Sequence, residues 1–429
     1  MTPPDRPRRS DQPRRATKGR ASKTPTAGRE SAGTGRSRVG AASRRVAIEA
    51  LIRIERDGAF ANLIVPRLLD RADLGDADRH LVTELVYGVT RLRRMLDHRL
   101  DAYLLRPVDT ATRAALRVGA YQLIVLGTPP HAAVAATVAA VSGRSRTLVN
   151  AVLRRLAAQT ADSQLHPAWP DEGTRLSYPD WVVEQLTADL GEPGGLEALE
   201  AMNHPAAVTE RSDGYVQDLA SQWVADLVEV QAGQRVADLC AAPGGKATAM
   251  AAAGAGIVAA VDLRPARVHL VEANRGNLGL SRVLPMVADG RHPPLRPGSF
   301  DRVLVDAPCS GLGALRRRPD ARWRIEPEAV PRLAELQREL LAAAVELLAP
   351  GGMLVYSVCT VTRAETVEID RWLADKRPDL VAAPDPGQPW TIEGRGALLA
   401  PQTAGTDGMY VLRLVAPAGD GSAVSVSER

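Results

Sequence analysis

The chain has 429 residues, 45% hydrophobic and 24% charged, which is apolar material for two or three cores and too much length for one ordinary domain. No stretch of about 18 uninterrupted apolar residues occurs, and the N-terminus lacks the apolar segment of a secretory leader, so the composition argues against a membrane protein and predicts a cytoplasmic one. Three cysteines cannot pair without a remainder, which agrees with a reducing compartment.

The net charge of +4 conceals an asymmetry. Residues 1–45 carry thirteen Lys or Arg against three Asp or Glu, leaving the other 384 residues at −6. A tail of this kind, rich in Pro, Ser, Gly and Arg and poor in large apolar side chains, cannot offset its ordering entropy. Residues 1–40 are therefore expected to be disordered, serving either as a solubilising extension or as a phosphate-binding arm.

From Ser43, a predicted N-cap, Val46, Ala47, Ala50, Leu51 and Ile54 recur at helical spacing. Similar patterns follow at Asp78–Tyr87, Thr112–Leu126 and His131–Leu156, punctuated by Gly75, Gly127 and the Pro129-Pro130 turn. Residues 41–160 thus read as an all-helical domain. Pro167, Pro170 and Pro179 break the chain, and 161–222 reads as a linker or small mixed subdomain.

From 223 to 416 the pattern becomes strand, turn, helix. Val236-Ala237-Asp238-Leu239, Ile257–Val261, Val283–Val287, Val303-Leu304-Val305 and Met353–Tyr356 are short apolar runs separated by helix-length segments. That spacing predicts parallel strands with helices on both faces, a doubly wound, Rossmann-like α/β domain followed by a C-terminal tail at 417–429.

After the first strand run, Cys240, Ala241, Ala242, Pro243, Gly244, Gly245 and Lys246 form a small-residue turn into an alanine-rich helix, where backbone amides can meet a polar ligand. The spacing fits neither the dinucleotide fingerprint nor the P-loop, because Ala247 follows Lys246. The next strand runs end at or beside Asp262, Asp289 and Asp306. Each alone reads as a turn or capping aspartate. Together, around a glycine loop, they favour a ligand with hydroxyls, an amine and a purine, which S-adenosylmethionine satisfies.

Cys309, in Asp306-Ala307-Pro308-Cys309, and Cys359, in Tyr356-Ser357-Val358-Cys359, each sit where a strand run ends. Amino-group methyltransferases of this architecture carry an aromatic at the position of Cys309. Carbon 5 of a pyrimidine takes a methyl group only after a nucleophile has added to carbon 6, and a thiolate adds and leaves reversibly. Cys240 reads as a packed small residue. Arg316-Arg317-Arg318, followed by Trp323, reads either as a solvated face or as a phosphate contact beside the flipped base.

Residues 236–246, 306–313 and 356–360 resemble the motifs of the Sun family of RNA cytosine-5 methyltransferases, and the bacterial RsmB type in particular. Leu116–Leu123 and Val149–Arg154 resemble the NusB-like RNA-binding domain of that type, so the likeness spans roughly residues 41–416. It implies that Cys359 is the nucleophile, that Cys309 assists product release, and that Cys240 through Lys246, Asp262, Asp289 and Asp306 contact S-adenosylmethionine. Asp306 is also implied to hydrogen-bond the cytosine. Val358 and Leu312 depart from the commonest pattern without removing a reacting atom.

The implied substrate is small-subunit (16S) ribosomal RNA. The implied enzyme is a monomer with no membrane partner and no metal, as no His/Cys cluster has ligand spacing. The competing readings are the same chemistry on tRNA, methylation of an exocyclic amine, and a non-catalytic RNA-binding adaptor.

Overall fold

The computed structural model describes residues 31–160 and 168–418. The disorder expected of the basic tail, as far as residue 30, lies outside the described residues, as do 161–167 and the C-terminal tail from 419.

The N-terminal half consists of α1 (Ser31–Arg56), α2 (Ala61–Arg71), α3 (Asp76–Arg91), α4 (Arg93–Asp101), α5 (Thr110–Ile124), α6 (Pro130–Ala140) and α7 (Ser145–Thr160). Helix α5 is the axis of this bundle. It is buried continuously from Ala114 to Leu123, and α1, α3, α4, α6 and α7 pack around it. Asp109 caps its start, accepting from the Thr112 amide at 2.9 Å. Gly119 lets α7 approach, since a Cβ there would stand 2.3 Å from a Leu153 methyl.

Two sequence expectations change here. Ser43 is not an N-cap: α1 begins twelve residues earlier, and the buried Ser43 hydroxyl instead reaches Asp78 on α3 at 2.9 Å. The His131–Leu156 pattern is two helices, because α6 ends at Ala140, Val141 is extended and Gly143 takes a left-handed turn at φ 67°.

Helices α8 (Glu172–Leu176), α9 (Asp180–Leu190) and α10 (Glu192–Ala201) lead through an irregular segment to α11 (Leu219–Asp226). The sheet then begins. Its strands are β1 (Arg235–Asp238), β2 (Ile257–Asp262), β3 (Val283–Val287), β4 (Phe300–Asp306), β5 (Leu348–Val358), β6 (Val381–Ala382), β7 (Thr391–Glu393), β8 (Gly396–Leu399) and β9 (Met409–Val415). The interleaved helices are α12 (Gly245–Ala252), α13 (Pro265–Asn277), α14 (Ala329–Glu346), α15 (Val367–Lys376) and α16 (Pro401–Ala404).

The sheet order is β3-β2-β1-β4-β5-β9-β8-β7, with β6 also on β9. The five strands read from sequence are the parallel ones. Strands β6 to β9 extend the sheet antiparallel, so it is mixed rather than all parallel. Alternate residues of the central strands feed two cores. Ala237, Val303, Val305, Leu354 and Tyr356 face the α9 and α14 side, while Val236, Leu304 and Val355 face α11 and α12.

The two halves are joined by the loop that follows Cys309. Arg322 is completely buried and donates to the Arg91 carbonyl at 3.0 Å, the Ser177 carbonyl at 3.2 Å and Asn203 Oδ1 at 2.9 Å, with its guanidinium 3.8 Å from the Tyr178 ring centroid. Trp323 Nε1 donates to the Thr90 carbonyl at 2.7 Å. Burial pulls the Arg322 pKa down to about 10, which leaves it a cation at neutral pH. Replacing Arg322 by Met should leave the buried Arg91 and Ser177 carbonyls and the half-buried Asn203 oxygen without this donor and lower stability by about 3 kcal/mol. A denaturant titration showing a change below about 0.5 kcal/mol would remove this residue as the joint.

Candidate active site

The parallel strands end along one edge, and the sequence-predicted residues collect there. Cys240–Lys246 is the turn from β1 into α12, Asp262 and Asp306 close β2 and β4, and Asp289 lies two residues beyond β3. Gly244 caps α12 with φ 104°, which only glycine adopts readily, and its missing Cβ would crowd Val271 at 3.2 Å.

Strands β4 and β5 pair in parallel with Asp306 opposite Ser357. Cys309 and Cys359 therefore leave neighbouring strand ends, and their sulfurs lie 3.3 Å apart, both half-buried. The two loops are tied by the Ala307 amide to the Ser357 carbonyl at 3.0 Å and the Gly313 amide to the Cys359 carbonyl at 3.0 Å.

Beneath them lies a buried polar network that sequence reasoning missed. Glu365 accepts from the Ser310 amide at 2.8 Å, Gln337 Nε2 at 3.0 Å and Thr362 Oγ1 at 2.9 Å, while Gln337 Nε2 also donates to the Pro308 carbonyl at 2.9 Å. The Tyr356 hydroxyl donates to Gln337 Oε1 at 3.0 Å and the Glu365 carbonyl at 2.7 Å. Every member is partnered, so the network fixes the Pro-Cys turn instead of destabilising it. Glu365 and Gln337 carry no local motif, because their role exists only once α14 has packed beneath β4 and β5.

Lys246 is buried, and its ammonium donates to Asp306 Oδ2 at 2.6 Å; Asp306 Oδ1 accepts from Ser357 Oγ at 2.7 Å. Burial depresses the Lys246 pKa, but the Asp306 charge and hydrogen bond outweigh that and raise it, with further help from Cys359 and Asp238. A fixed cation thus stands within electrostatic reach of Cys359. The Cys309 thiol is pushed well up by its hydrogen bond to Cys359 and by burial, which keeps it protonated as a donor toward the Cys359 sulfur. Burial likewise pushes the Cys240 thiol up, aided by the neighbouring Asp238, so it is an inert packed thiol.

Asp262 accepts from the Arg264 amide at 3.1 Å, and Asp289 is gripped by Arg291, whose Nη2 lies 2.7 Å from Oδ2. That grip holds the Asp289 carboxyl below its ordinary range. Asp238, also missed, closes β1 and is almost wholly buried, yet its Oδ2 has no hydrogen-bond partner among the described residues. The signal was available, since Asp238 ends its strand as Asp262 and Asp306 end theirs.

Neither expectation for the arginine run fits Arg316 or Arg317. Arg316 is buried and donates to the carbonyls of Ala201, at 2.8 Å, and Gly405; Arg317 pairs with Asp218 and with Asp407, the latter at 3.2 Å. Only Arg318 of the three is exposed. The first two are held by the fold because the loop folds inward to meet the helical half.

Residues 225–415 match the family model of the 16S rRNA methyltransferase RsmB/F, and residues 41–158 match that of the NusB family. The ribosomal RNA small subunit methyltransferase B of Thermus thermophilus is 35% identical over 404 residues, covering 86% of this chain and 97% of that protein. Its namesake in Yersinia enterocolitica is 31% identical over 429 residues, covering 87% and 98%. The chain belongs to the RsmB methyltransferase family. Among solved structures, PH0851 superposes with a TM-score of 0.69 at 22% identity over 87% of this chain and 98% of that one, which confirms the fold.

The cofactor of an RsmB-type methyltransferase is S-adenosylmethionine, and the residues present fit it. The orphaned buried carboxylate of Asp238, beside the glycine loop, is the partner that an ammonium group requires, and Asp262 stands at the next strand end where a ribose diol can be held. Among the described residues no helix is long and apolar enough to cross a membrane.

Two outcomes test these electrostatics. Burial, reinforced by Asp306, raises Asp238 to about 7. The native protein thus holds this proton more tightly than the unfolded chain, whose carboxyl titrates near ~3.9. The resulting stability is complete below that value and is lost as pH rises through about 7. Asp238→Asn should therefore flatten the fall in melting temperature between roughly pH 5 and 8, and an unchanged slope would contradict the shift. In a Cys240→Ser/Cys309→Ser background, Lys246→Met should slow iodoacetamide alkylation of Cys359 about tenfold at neutral pH. An unaltered rate would exclude Lys246 as the activating charge.

Proposed function

We propose that this protein methylates carbon 5 of a cytosine in small-subunit ribosomal RNA through a covalent bond between Cys359 and carbon 6. The observation that carries the reading is the pair of thiols 3.3 Å apart at neighbouring strand ends, beside the buried Lys246 ammonium that is bonded to Asp306. Methylation of an exocyclic amine needs no thiol, and a non-catalytic adaptor needs neither the thiols nor the orphaned carboxylate. The relatives named for ribosomal RNA favour that substrate over tRNA.

In this reading the Cys359 thiolate attacks carbon 6 of a cytosine that has left its stack, which costs least in a loop or bulge. The electron pair displaced from the ring double bond makes carbon 5 nucleophilic. Asp306, held as an acceptor by Lys246 and Ser357, favours the form of the ring protonated at nitrogen 3. S-adenosylmethionine, when bound by the glycine loop with Asp262 and Asp289, supplies the electrophilic methyl group. Solvent water then takes the proton from carbon 5, the C–H electron pair restores the double bond, and the Cys359–carbon 6 bond breaks with its pair returning to sulfur. The Cys309 thiol stabilises the departing thiolate by donating to it.

The test is a denaturing gel and a methyl-transfer assay with ribosomal RNA and S-adenosylmethionine. Cys309→Ala should trap a protein–RNA adduct, and Cys359→Ala should give neither adduct nor methylation. The reverse pattern would exchange the roles. Methylation of tRNA alone would replace the substrate, and no methylation by the intact protein would bring the adaptor reading forward.

A further inference from the structure

Every carbonyl of the glycine loop from Ala241 to Gly245 is engaged by the protein itself. Ala241 accepts from the Gly244 amide at 2.7 Å, Ala242 from Arg267 Nη2 at 2.5 Å, Pro243 from Asn274 Nδ2 at 2.8 Å and Gly244 from the Thr248 hydroxyl at 2.8 Å. The Gly245 carbonyl accepts from Arg211 Nη1 at 2.5 Å and from Thr248 Oγ1 at 3.0 Å. Of the side chains that donate here, only Arg211 lies outside residues 225–415, the part of the chain that matches the methyltransferase family model.

Arg211 is carried on a short hairpin, Thr209–Gln217, closed by a bridge between Glu210 and Val216 and turning at Gly214, whose φ is 84°. A two-stranded ribbon of this size is marginal by itself, and Val208 and Val216 beside its ends are exposed rather than packed. Its seating on the loop is polar. Asp213 pairs with Arg211, Nε to Oδ1 at 3.1 Å, and the guanidinium lies 4.9 Å from the Tyr215 ring centroid. The Tyr215 hydroxyl accepts from Asn274 at 3.4 Å, and a Cβ on Gly245 would stand 3.1 Å from both Tyr215 and Gln217. The Arg211 side chain is 8% exposed, so a guanidinium has been taken almost wholly out of water to reach one loop carbonyl.

A peptide unit is planar and trans, so a carbonyl held on one side turns its amide to the other. The Gly245 carbonyl shares its plane with the Lys246 amide, and the Gly244 carbonyl shares its plane with the Gly245 amide. Both amides open α12, where no intrahelical acceptor exists, and among the described residues neither donates to another backbone group.

We infer that Arg211 is a positioning residue for S-adenosylmethionine. By gripping the Gly245 carbonyl it keeps the amides of the first α12 turn presented to the cofactor, and through the same peptide it steadies Lys246 in its bond to Asp306. A strap with a structural purpose alone needs only apolar contact; this one instead places a desolvated cation, held by its own aspartate, on the loop. The inference concerns the cofactor and holds whichever RNA is methylated.

The experiment is calorimetric titration of S-adenosylhomocysteine, the product form of the cofactor, into the full chain and its Arg211→Met and Arg211→Lys variants, together with hydrogen–deuterium exchange of the ligand-free proteins. Arg211→Met should raise the dissociation constant about tenfold, the loss of one charge-assisted hydrogen bond, and should speed exchange within residues 241–248 while α9 and α14 keep theirs. Arg211→Lys retains a cationic donor and should recover the larger part of the affinity. A dissociation constant in the Met variant within about twofold of the parent's would overturn the proposal. So would faster exchange spread evenly over the sheet, which would make Arg211 a stabilising residue of the whole domain. Should Arg211→Met fail to fold, Asp213→Asn leaves the arginine in place and removes its charged anchor; it should weaken binding about threefold, and an unchanged affinity there would overturn the proposal equally.

Discussion

The parallel pairing of β4 with β5, in the register that sets Asp306 against Ser357, is the constraint on which the site depends. Cys309 lies three residues beyond the first and Cys359 two beyond the second, so thiols fifty residues apart in sequence meet at 3.3 Å. A slip of one residue would turn alternate side chains to the opposite face, burying Asp306 among aliphatic groups and separating the sulfurs. The wholly buried side chains at Val303, Val305, Leu354 and Tyr356 make such a slip costly.

Charge is then placed on this frame with little freedom. An isolated ammonium in the position of Lys246 would be strongly disfavoured, and its ion pair with Asp306 is what allows it to remain there. The pair fixes the Asp306 carboxylate and keeps a positive charge within electrostatic reach of Cys359. Asp238 is the complementary case, a buried carboxylate whose Oδ2 finds no partner among the described residues.

What was legible in the sequence follows from how local its cause is. The five parallel strands are continuous apolar runs because both faces are covered, and the glycine loop and two cysteine turns are short motifs, so all of these could be read directly. Strands β6 and β7 are two or three residues long and largely exposed, as at Val381 and Ile392, so no periodicity marked them, whereas β8 and β9 are buried runs that the sequence reading did not single out. Ser43 looked like a cap because its residue type favours caps, but a partner on α3 satisfied it inside a helix. The arginine run looked like a substrate contact because sequence shows charge and conceals the carbonyls and carboxylates that fold against it. Gln337 and Glu365 were invisible for the same reason, being partners to atoms far along the chain.

The inward fold of the loop at 316–324 bears on how such proteins can be assembled from parts. The helical half and the sheet half look like separable modules, and each matches a family model of its own. Yet the backbone carbonyls that receive Arg322 and Trp323 belong to the last two residues of α3 and to the residue after α8. A recombination event that exchanged one half for a relative's would have to preserve main-chain positions rather than side-chain identities at this seam. Such a seam tolerates divergence in sequence and resists changes in helix length, so the two modules are free to drift in composition while remaining locked in relative placement.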